Sequence, residues 1–152
     1  MGRKRGRKFL GYALWVAPAS KVKCKVAAKP LATFKQRIRQ MSRRSGGRSM
    51  AQVIQRMRSY LLGWKAYVGL SQTPNVWREL HEWLRHRLRA VQLKQCKRGT
   101  TMFRQLLALG ASHEVARQIA ANSRRWWRNS GKLLNSVQTL AWFDRLGLLR
   151  LA

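Results

Sequence analysis

The side chains best suited to acid–base or metal chemistry are four carboxylates, Glu79, Glu82, Glu114 and Asp144. They are spread along the chain, and no segment offers the clustered carboxylates that a two-metal phosphoryl-transfer site needs. The sequence therefore predicts no catalytic residues. Polymerase or nuclease chemistry within this chain is not expected.

Two isolated cysteines, Cys24 and Cys96, lie far apart and form no CxxC motif. His81, His86 and His113 are the remaining candidate metal ligands, but His81 and His86 are five residues apart and project from different faces of a helix. We therefore expect no metal site and no cofactor. The thiols are predicted to be reduced, and the histidines to be solvated or to face RNA.

Basic residues dominate the composition. The 152 residues include 33 Lys or Arg and 4 Asp or Glu, so the formal net charge is +29. Self-repulsion of this size opposes compaction unless a polyanion screens it, which predicts RNA, DNA or an anionic membrane surface as the partner. The hydrophobic content of 45%, with seven Trp, is enough to build a core. A free-standing metabolic enzyme and a purely disordered basic tail are both disfavoured.

The segment Arg124–Arg128 alternates guanidinium groups with indoles (RRWWR). This combination can neutralise phosphate and stack on an unpaired base. The alternative is a hydrophobic anchor that holds the tail on the rest of the protein. For Trp126 and Trp127 both interpretations stay open, and one indole could serve each purpose.

The elements that position these residues begin with a predicted hairpin. Phe9–Ala17 is rich in aromatic and branched residues, and Lys21–Val26 alternates with period two. Ala17–Ser20 would join the two strands. Such a ribbon is marginal alone and must lean on another surface. No segment approaches the roughly 20 apolar residues of a transmembrane helix, so we expect no membrane partner.

Three amphipathic helices are predicted next. The first has apolar residues at helical spacing from Leu31 and ends at Ser45-Gly46-Gly47. The second begins at Ser49, which forms a capping box with Gln52, and Gly63 within it is expected to mark a close helix–helix approach. The third begins with Thr73 as N-cap and Pro74 at the first helical position, runs to about Lys97 and is ended by Gly99. Shorter helices are expected at 101–109, 113–121 and 132–140, and the fold class is mainly α.

Arginines at spacings of seven and four place Arg78, Arg85 and Arg89 on one ridge of the third helix. Glu79 and Glu82 offset little of this charge, so we predict that the ridge meets phosphates. The full set of predicted RNA-binding residues is Lys35, Arg37, Arg39, Arg43, Arg44, Arg48, Lys65, Arg78, Arg85, Arg89, Lys94, Lys97, Arg98, Arg124, Arg125, Trp126, Trp127 and Arg128.

Several motifs occur in an order that resembles a known family. They are FLGY from Phe9, LATFKQRIRQMSRRSGGRSMAQVI from Leu31, LLGWKAY from Leu61, WRELHEWLRHRLRAVQLKQCKRG from Trp77, RRWWRNS from Arg124 and AWFDRLGL from Ala141. Together they resemble the maturase-specific C-terminal region of bacterial group II intron reverse transcriptase/maturases. The resemblance extends over nearly the whole chain.

The resemblance implies a polymerase thumb, also called domain X, which binds the intron RNA and assists its splicing. The Tyr-Ala-Asp-Asp motif of the family's catalytic palm has no counterpart here. The resemblance therefore implies a maturase fragment in a mobile genetic element, without polymerase activity. Its expected partners are group II intron RNA and, if the protein is split, the separate reverse transcriptase half. The expected location is the cytoplasm.

We divide the chain into a basic N-terminus and hairpin that would adjoin the palm (1–28), a three-helix thumb bundle (29–98), and short helices with a basic-aromatic tail packing on that bundle (99–152). A basic structural RNA-binding protein of the ribosomal type is the alternative function. A cationic membrane-active helical protein is a third possibility, but capped helices with core-type apolar stripes suit a folded bundle better.

Overall fold

A computed structural model describes residues 8–16, 21–43, 47–131 and 133–151. The elements in chain order are strands β1 (Lys8–Phe9), β2 (Tyr12–Val16) and β3 (Val22–Val26), helices α1 (Ala28–Met41), α2 (Met50–Tyr67), α3 (Pro74–Gln95), α4 (Gly99–Ala108), α5 (His113–Ala121) and α6 (Trp126–Gly131), a 3₁₀ turn (Leu133–Asn135), and helix α7 (Leu140–Arg145). The prediction of a mainly α fold with an N-terminal hairpin is confirmed.

The hairpin is a three-stranded antiparallel sheet in the order β1-β2-β3. Strands β2 and β3 pair with Tyr12 opposite Val26 and Val16 opposite Val22. The short strand β1, which the sequence does not predict, joins β2 through Leu10 and Gly11, whose φ angles of 45° and 84° fit a two-residue type I′ turn. The predicted joint at 17–20 lies outside the described residues.

The hairpin leans on the C-terminal end of α2. The Tyr12 hydroxyl donates to the carbonyl of Tyr67, and the Tyr67 hydroxyl donates to the carbonyl of Leu10 at 2.9 Å. The Gln72 amide also donates to the carbonyl of Cys24 at 3.0 Å. The expectation that the ribbon needs a supporting surface is thus met within the chain itself.

Helices α1 and α2 follow the predicted apolar periodicity. Helix α1 begins three residues earlier than expected, and Pro30 is tolerated there because amide groups in the first turn have no intrahelical partner. Both hydrogen bonds of the capping box between Ser49 and Gln52 are present. Helix α1 ends at Met41, before the predicted stop at Ser45-Gly46-Gly47, of which residues 45 and 46 lie outside the described residues. The prediction for Gly63 is wrong, because the residue is exposed and no atom would crowd a side chain there.

Helix α3 has Thr73 at the N-cap position and Pro74 at its first position, as predicted, but the Thr73 hydroxyl bonds to that of Ser71 at 2.7 Å and makes no cap hydrogen bond. The helix ends at Gln95, and Gly99 begins α4 instead of ending α3. A methyl group on Gly99 would lie 2.9 Å from the carbonyl oxygen of Ala120. A glycine is therefore required by the close approach of α4 and α5, a contact that the sequence does not reveal.

Two clusters of buried apolar side chains stabilise the helices. The first joins α1, α2 and the N-terminal part of α3, with Phe34, Leu61 and Leu84 fully buried, and it receives Phe143 of α7. The second lies where the end of α3 meets α4 and α5, around Met102. The apolar stripes of the three long helices are therefore core, as amphipathic helices require.

The C-terminal region differs from the prediction. Helix α5 has the predicted bounds, with the Ser112 hydroxyl accepting from the Val115 amide. The helix predicted over 132–140 is wrong: the described residues there form only the 3₁₀ turn and an irregular segment before α7. Gln138 in that segment is fully buried and contacts α3 through hydrogen bonds to Gln92 and Arg89. These long-range contacts hold the backbone out of a regular helix.

Within the described residues no helix is both long and apolar enough to cross a membrane. The same part of the chain contains no group of three His, Cys, Asp or Glu side chains placed to hold a metal ion.

Candidate nucleic-acid interface

Two basic side chains of α1 lie over the ring of Trp83 on α3. The Lys35 ammonium and the Arg39 guanidinium each lie 5.5 Å from the centroid of its ring, within the range of cation–π attraction. One turn further along α3, Arg87 donates from Nε to the Ser42 hydroxyl at 3.2 Å. Burial, and then the charge of Arg39, lower the pKa of Arg87. The positive charges of α1 and α3 are thus close enough to repel each other.

His86 connects α3 to α6. Its imidazole stacks on the indole of Trp127 with ring centroids 4.1 Å apart, and its Nε2 lies 2.9 Å from the Trp127 carbonyl oxygen. Gly131 permits this approach, because a methyl group there would lie 3.3 Å from His86 Nε2. Trp127 remains 42% exposed.

Trp126 is placed differently from its neighbour. It is half-buried and packs against the second apolar cluster, and the Lys94 ammonium lies 4.8 Å from its ring centroid. The two indoles meet edge to face. Trp126 therefore anchors α6 to the second apolar cluster, and Trp127 presents an exposed ring.

These contacts make one continuous surface across α1, α3 and α6, which we call the aromatic–basic face. Trp83 and His86 are three residues apart on α3 and so lie on the same side of the helix. The face consists of Lys35, Arg39, Trp83, His86 and Trp127.

The predicted ridge on α3 is only partly exposed. Arg78 is exposed and Arg85 half-buried, but Arg89 is just 4% exposed. Arg89 donates from Nε and Nη2 to the carbonyl oxygen of Gln138 at 3.1 and 2.7 Å, and its guanidinium lies 5.4 Å from the ring of Phe143. The prediction that all three arginines face outward is wrong for Arg89. The helical spacing is right, but the segment around Gln138 covers this end of the ridge.

Burial, with a further contribution from Arg85, lowers the pKa of Arg89 to about 10, and the charge of Glu82 opposes the shift. Arg89 therefore stays cationic at neutral pH while its guanidinium is committed to the C-terminal segment. Its role in the described structure is to hold that segment on α3.

His81 also departs from the expectation of a solvated or RNA-facing side chain. It is buried on α3, and burial, followed by the charge of Arg85, lowers its pKa to about 4 although Asp144 acts in the opposite direction. His81 is therefore neutral at physiological pH and offers no charge to a phosphate.

The other predicted residues lie around the molecule. Lys65 donates to the carbonyl of Arg150 at 3.0 Å, and Arg78 bonds to the side chain of Asn75. Arg125 and Arg128 line a pocket of about 380 Å³ with Gln118 and Asn122. Arg44 lies outside the described residues. The remaining predicted basic residues are exposed, namely Arg37, Arg43, Arg48, Lys97, Arg98 and Arg124.

Carboxylates neutralise little of this charge. In the ranges that the structure covers, the ion pairs are Glu114 with Arg117 and Asp144 with Arg150. Neither pair involves a residue of the aromatic–basic face, whose cations are left available to a polyanion. Phosphate contacts of this kind supply most of the affinity of nucleic-acid-binding proteins.

Three residues of this region are absent from the predicted RNA-binding set: Trp83, His86 and Arg87. Trp83 belongs to the predicted apolar stripe of the third helix. Its spacing of three and four from His86 and Arg87 places all three on one side of α3, which is a usable signal. The stacking of His86 on Trp127 depends on tertiary packing and has no sequence signal.

A comparison with protein families gives a match to the central part of the chain. The model of the group II intron, maturase-specific domain family matches residues 31–109, just over half of the chain. The matched stretch runs from the first turn of α1 to the end of α4 and includes Lys35, Arg39, Trp83 and His86. No curated protein sequence matches the chain.

Proposed function

Because the chain belongs to the group II intron maturase-specific domain family, we propose that it binds group II intron RNA through the aromatic–basic face and assists splicing of that RNA. The observation that carries this proposal is the junction of α1, α3 and α6, where Trp83, His86 and Trp127 lie together with cations that no carboxylate pairs in the described residues. A surface that recognises unpaired RNA usually combines cations, which neutralise phosphate, with aromatic rings, on which bases stack.

The test compares binding of the purified chain to a group II intron RNA, to an unrelated structured RNA and to anionic vesicles. We expect tighter binding to the intron RNA, with log affinity falling steeply as log salt rises. At least six phosphate contacts would give a slope of magnitude about 4 or more. Equal affinity for both RNAs would favour the ribosomal-type alternative. Preferential binding to vesicles would contradict the proposal.

Splicing assistance needs its own measurement. Adding the chain to the precursor RNA at low magnesium should raise the rate of self-splicing if it stabilises the active RNA fold. We propose no polymerase activity for the chain, because only Glu79 and Glu82 of its four carboxylates lie near each other and the other two pair with arginines. Primer extension by the purified protein would contradict that part of the proposal.

We also propose that the apolar face of the hairpin contacts a reverse transcriptase half. Side chains alternate along a strand, so Leu14, Val16 and Val22 share one face, and each is exposed. Val16→Asp should weaken co-purification with a reverse transcriptase half while leaving RNA affinity nearly unchanged. Leu107→Asp, at an exposed apolar position on α4, is the control.

A further inference from the structure

A polar pocket of about 350 Å³ opens between α3 and α6, next to the aromatic–basic face. Its walls are formed by Glu79, Glu82, Trp83, Arg85, His86 and Arg89 from α3, with Gly131 at the end of α6 and Asn135 beyond it. The pocket shares Trp83 and His86 with that face, so an RNA strand lying on the face would pass its opening. We propose that this pocket binds an unpaired guanine base, a proposal that rests on the RNA-binding function above.

The two glutamates are the first reason to expect a base in this pocket. The chain has only four acidic residues against 33 basic ones. In the described residues Glu114 and Asp144 are each paired with an arginine, whereas Glu79 and Glu82 form no ion pair and line this pocket. A carboxylate repels phosphate, so the side of the pocket that carries the glutamates is unsuited to the RNA backbone. Carboxylates accept hydrogen bonds from N–H groups, and in RNA those groups belong to the bases.

The pattern of donors selects among the bases. An ionised carboxylate has only acceptors. On its Watson–Crick edge guanine presents two adjacent donors, N1–H and the N2 amine. Adenine, cytosine and uracil each place an acceptor next to a donor on that edge, so a carboxylate meets repulsion at one of its two oxygens. Guanine therefore fits an acceptor-only wall best.

The arginine side of the pocket suits the acceptor atoms of guanine. Guanine O6 and N7 are acceptors, and arginine is their commonest partner. Arg85 lines the pocket, and its Nε is buried without a hydrogen-bond partner in the described residues. A buried donor left unpaired costs free energy, which a ligand acceptor reached by a small side-chain movement would recover. Trp83 supplies an aromatic wall on which a base can stack.

The competing explanation is that the glutamates only offset the buried charge of Arg89, on which Glu82 acts. The two explanations predict opposite signs for the effect of Glu82→Gln on RNA affinity. Removing a negative charge from a protein of this net charge strengthens its attraction to any polyanion. If Glu82 accepts hydrogen bonds from guanine, the same substitution weakens binding to RNA that contains guanine.

The experiment measures, by fluorescence anisotropy, the binding of a short oligouridine that carries one central guanosine, inosine, adenosine or uridine. Inosine differs from guanosine only by the absence of the N2 amine. We expect the wild-type chain to prefer guanosine over inosine by roughly tenfold, the value of one hydrogen bond to a charged group. Glu82→Gln should reduce this preference and lower the affinity for the guanosine oligomer. Glu114→Gln, which removes the same charge on α5, should bind every oligomer as tightly as wild type or more tightly.

The proposal is overturned if wild type binds the guanosine and inosine oligomers equally, or if Glu82→Gln strengthens binding as Glu114→Gln does. A fall in melting temperature together with stronger RNA binding would assign the glutamates to charge compensation around Arg89. Equal binding of all oligomers with retained affinity for intron RNA contradicts only the guanine site. Failure to bind either the oligomers or the intron RNA contradicts the proposed function as well.

Discussion

The imidazole of His86 stacks on the indole of Trp127 across the boundary between α3 and α6, with ring planes inclined by 29°. This contact places an exposed aromatic ring from outside the family match beside His86, which lies within it. The aromatic–basic face is therefore assembled from segments about 90 residues apart between Lys35 and Trp127, a separation read from the sequence.

The adjacent indoles should respond differently to truncation. Trp127→Ala should weaken RNA binding by about 1 to 3 kcal/mol if a base stacks on the ring, with an unchanged salt slope because the charge of the protein stays the same. Trp126→Ala should instead destabilise the fold by roughly 2 kcal/mol, because that indole packs against the second apolar cluster. Anisotropy titrations and thermal melts of both variants check this. If Trp127→Ala lowers the melting temperature and spares RNA affinity, the assignment is reversed.

Arg89 should matter for stability more than for binding. Arg89→Met leaves the buried carbonyl of Gln138 without its two donors, so we expect a decrease of about 2 to 3 kcal/mol in the free energy of unfolding. The melting temperature should fall by roughly 4 to 10 °C. Arg78→Met removes the same charge from an exposed position of the same helix and should leave the melting temperature nearly unchanged. Equal melting temperatures for the two variants would contradict the structural role of Arg89.

Protonation of His81 should make the fold sensitive to mild acid. Its pKa is lowered to about 4 in the folded protein, whereas about 6.5 is usual when unfolded. As the pH falls, the unfolded state therefore binds a proton at His81 before the folded state does. The stability that depends on neutral His81 is fully present above pH 6.5 and is lost as the pH falls towards 4. Allowing for solvent screening, we expect the free energy of unfolding to decrease by roughly 2 kcal/mol.

Urea denaturation at several pH values between 7.5 and 4 measures this decrease, and His81→Gln is the comparison. Glu114 and Asp144 also have lowered pKa values because of their hydrogen bonds to Gln118 and Arg117, and to Arg150, respectively. The acid destabilisation from Glu114 is common to both proteins, and that from Asp144 is nearly so because Arg150 acts on Asp144 more strongly than His81 does. The difference between wild type and variant therefore reports mainly on His81. Parallel pH profiles would show that His81 does not contribute.

The cations around Trp83 should set part of the salt dependence. Lys35→Gln combined with Arg39→Gln should lower RNA affinity and reduce the magnitude of the salt slope by about 0.7 to 0.9 for each phosphate that is no longer neutralised. Arg104→Gln combined with Arg117→Gln removes two exposed charges from α4 and α5. This control should change the slope less. Identical slopes in the two double variants would place the main RNA-binding surface elsewhere.

The helices that depend on local sequence signals can be predicted from the sequence. The capping box of Ser49 and Gln52, Pro74 at the start of α3 and the Ser112 cap of α5 are all predictable, because each depends on residues within one helical turn. Apolar periodicity identifies the buried faces of the long helices for the same reason. The excess of basic over acidic residues indicates a polyanionic partner without reference to any fold.

Which polar side chains are available to that partner depends on the tertiary structure. The spacing of Arg78, Arg85 and Arg89 defines a ridge but does not show that Gln138, 49 residues from Arg89, covers one end of it. In the same way, the pattern around His81 does not predict its burial, and the pattern around Gly63 does not predict its exposure. Helical spacing fixes the direction in which a side chain points from its own helix. Burial depends on which distant segment packs there, a choice made by the summed contacts of the whole chain.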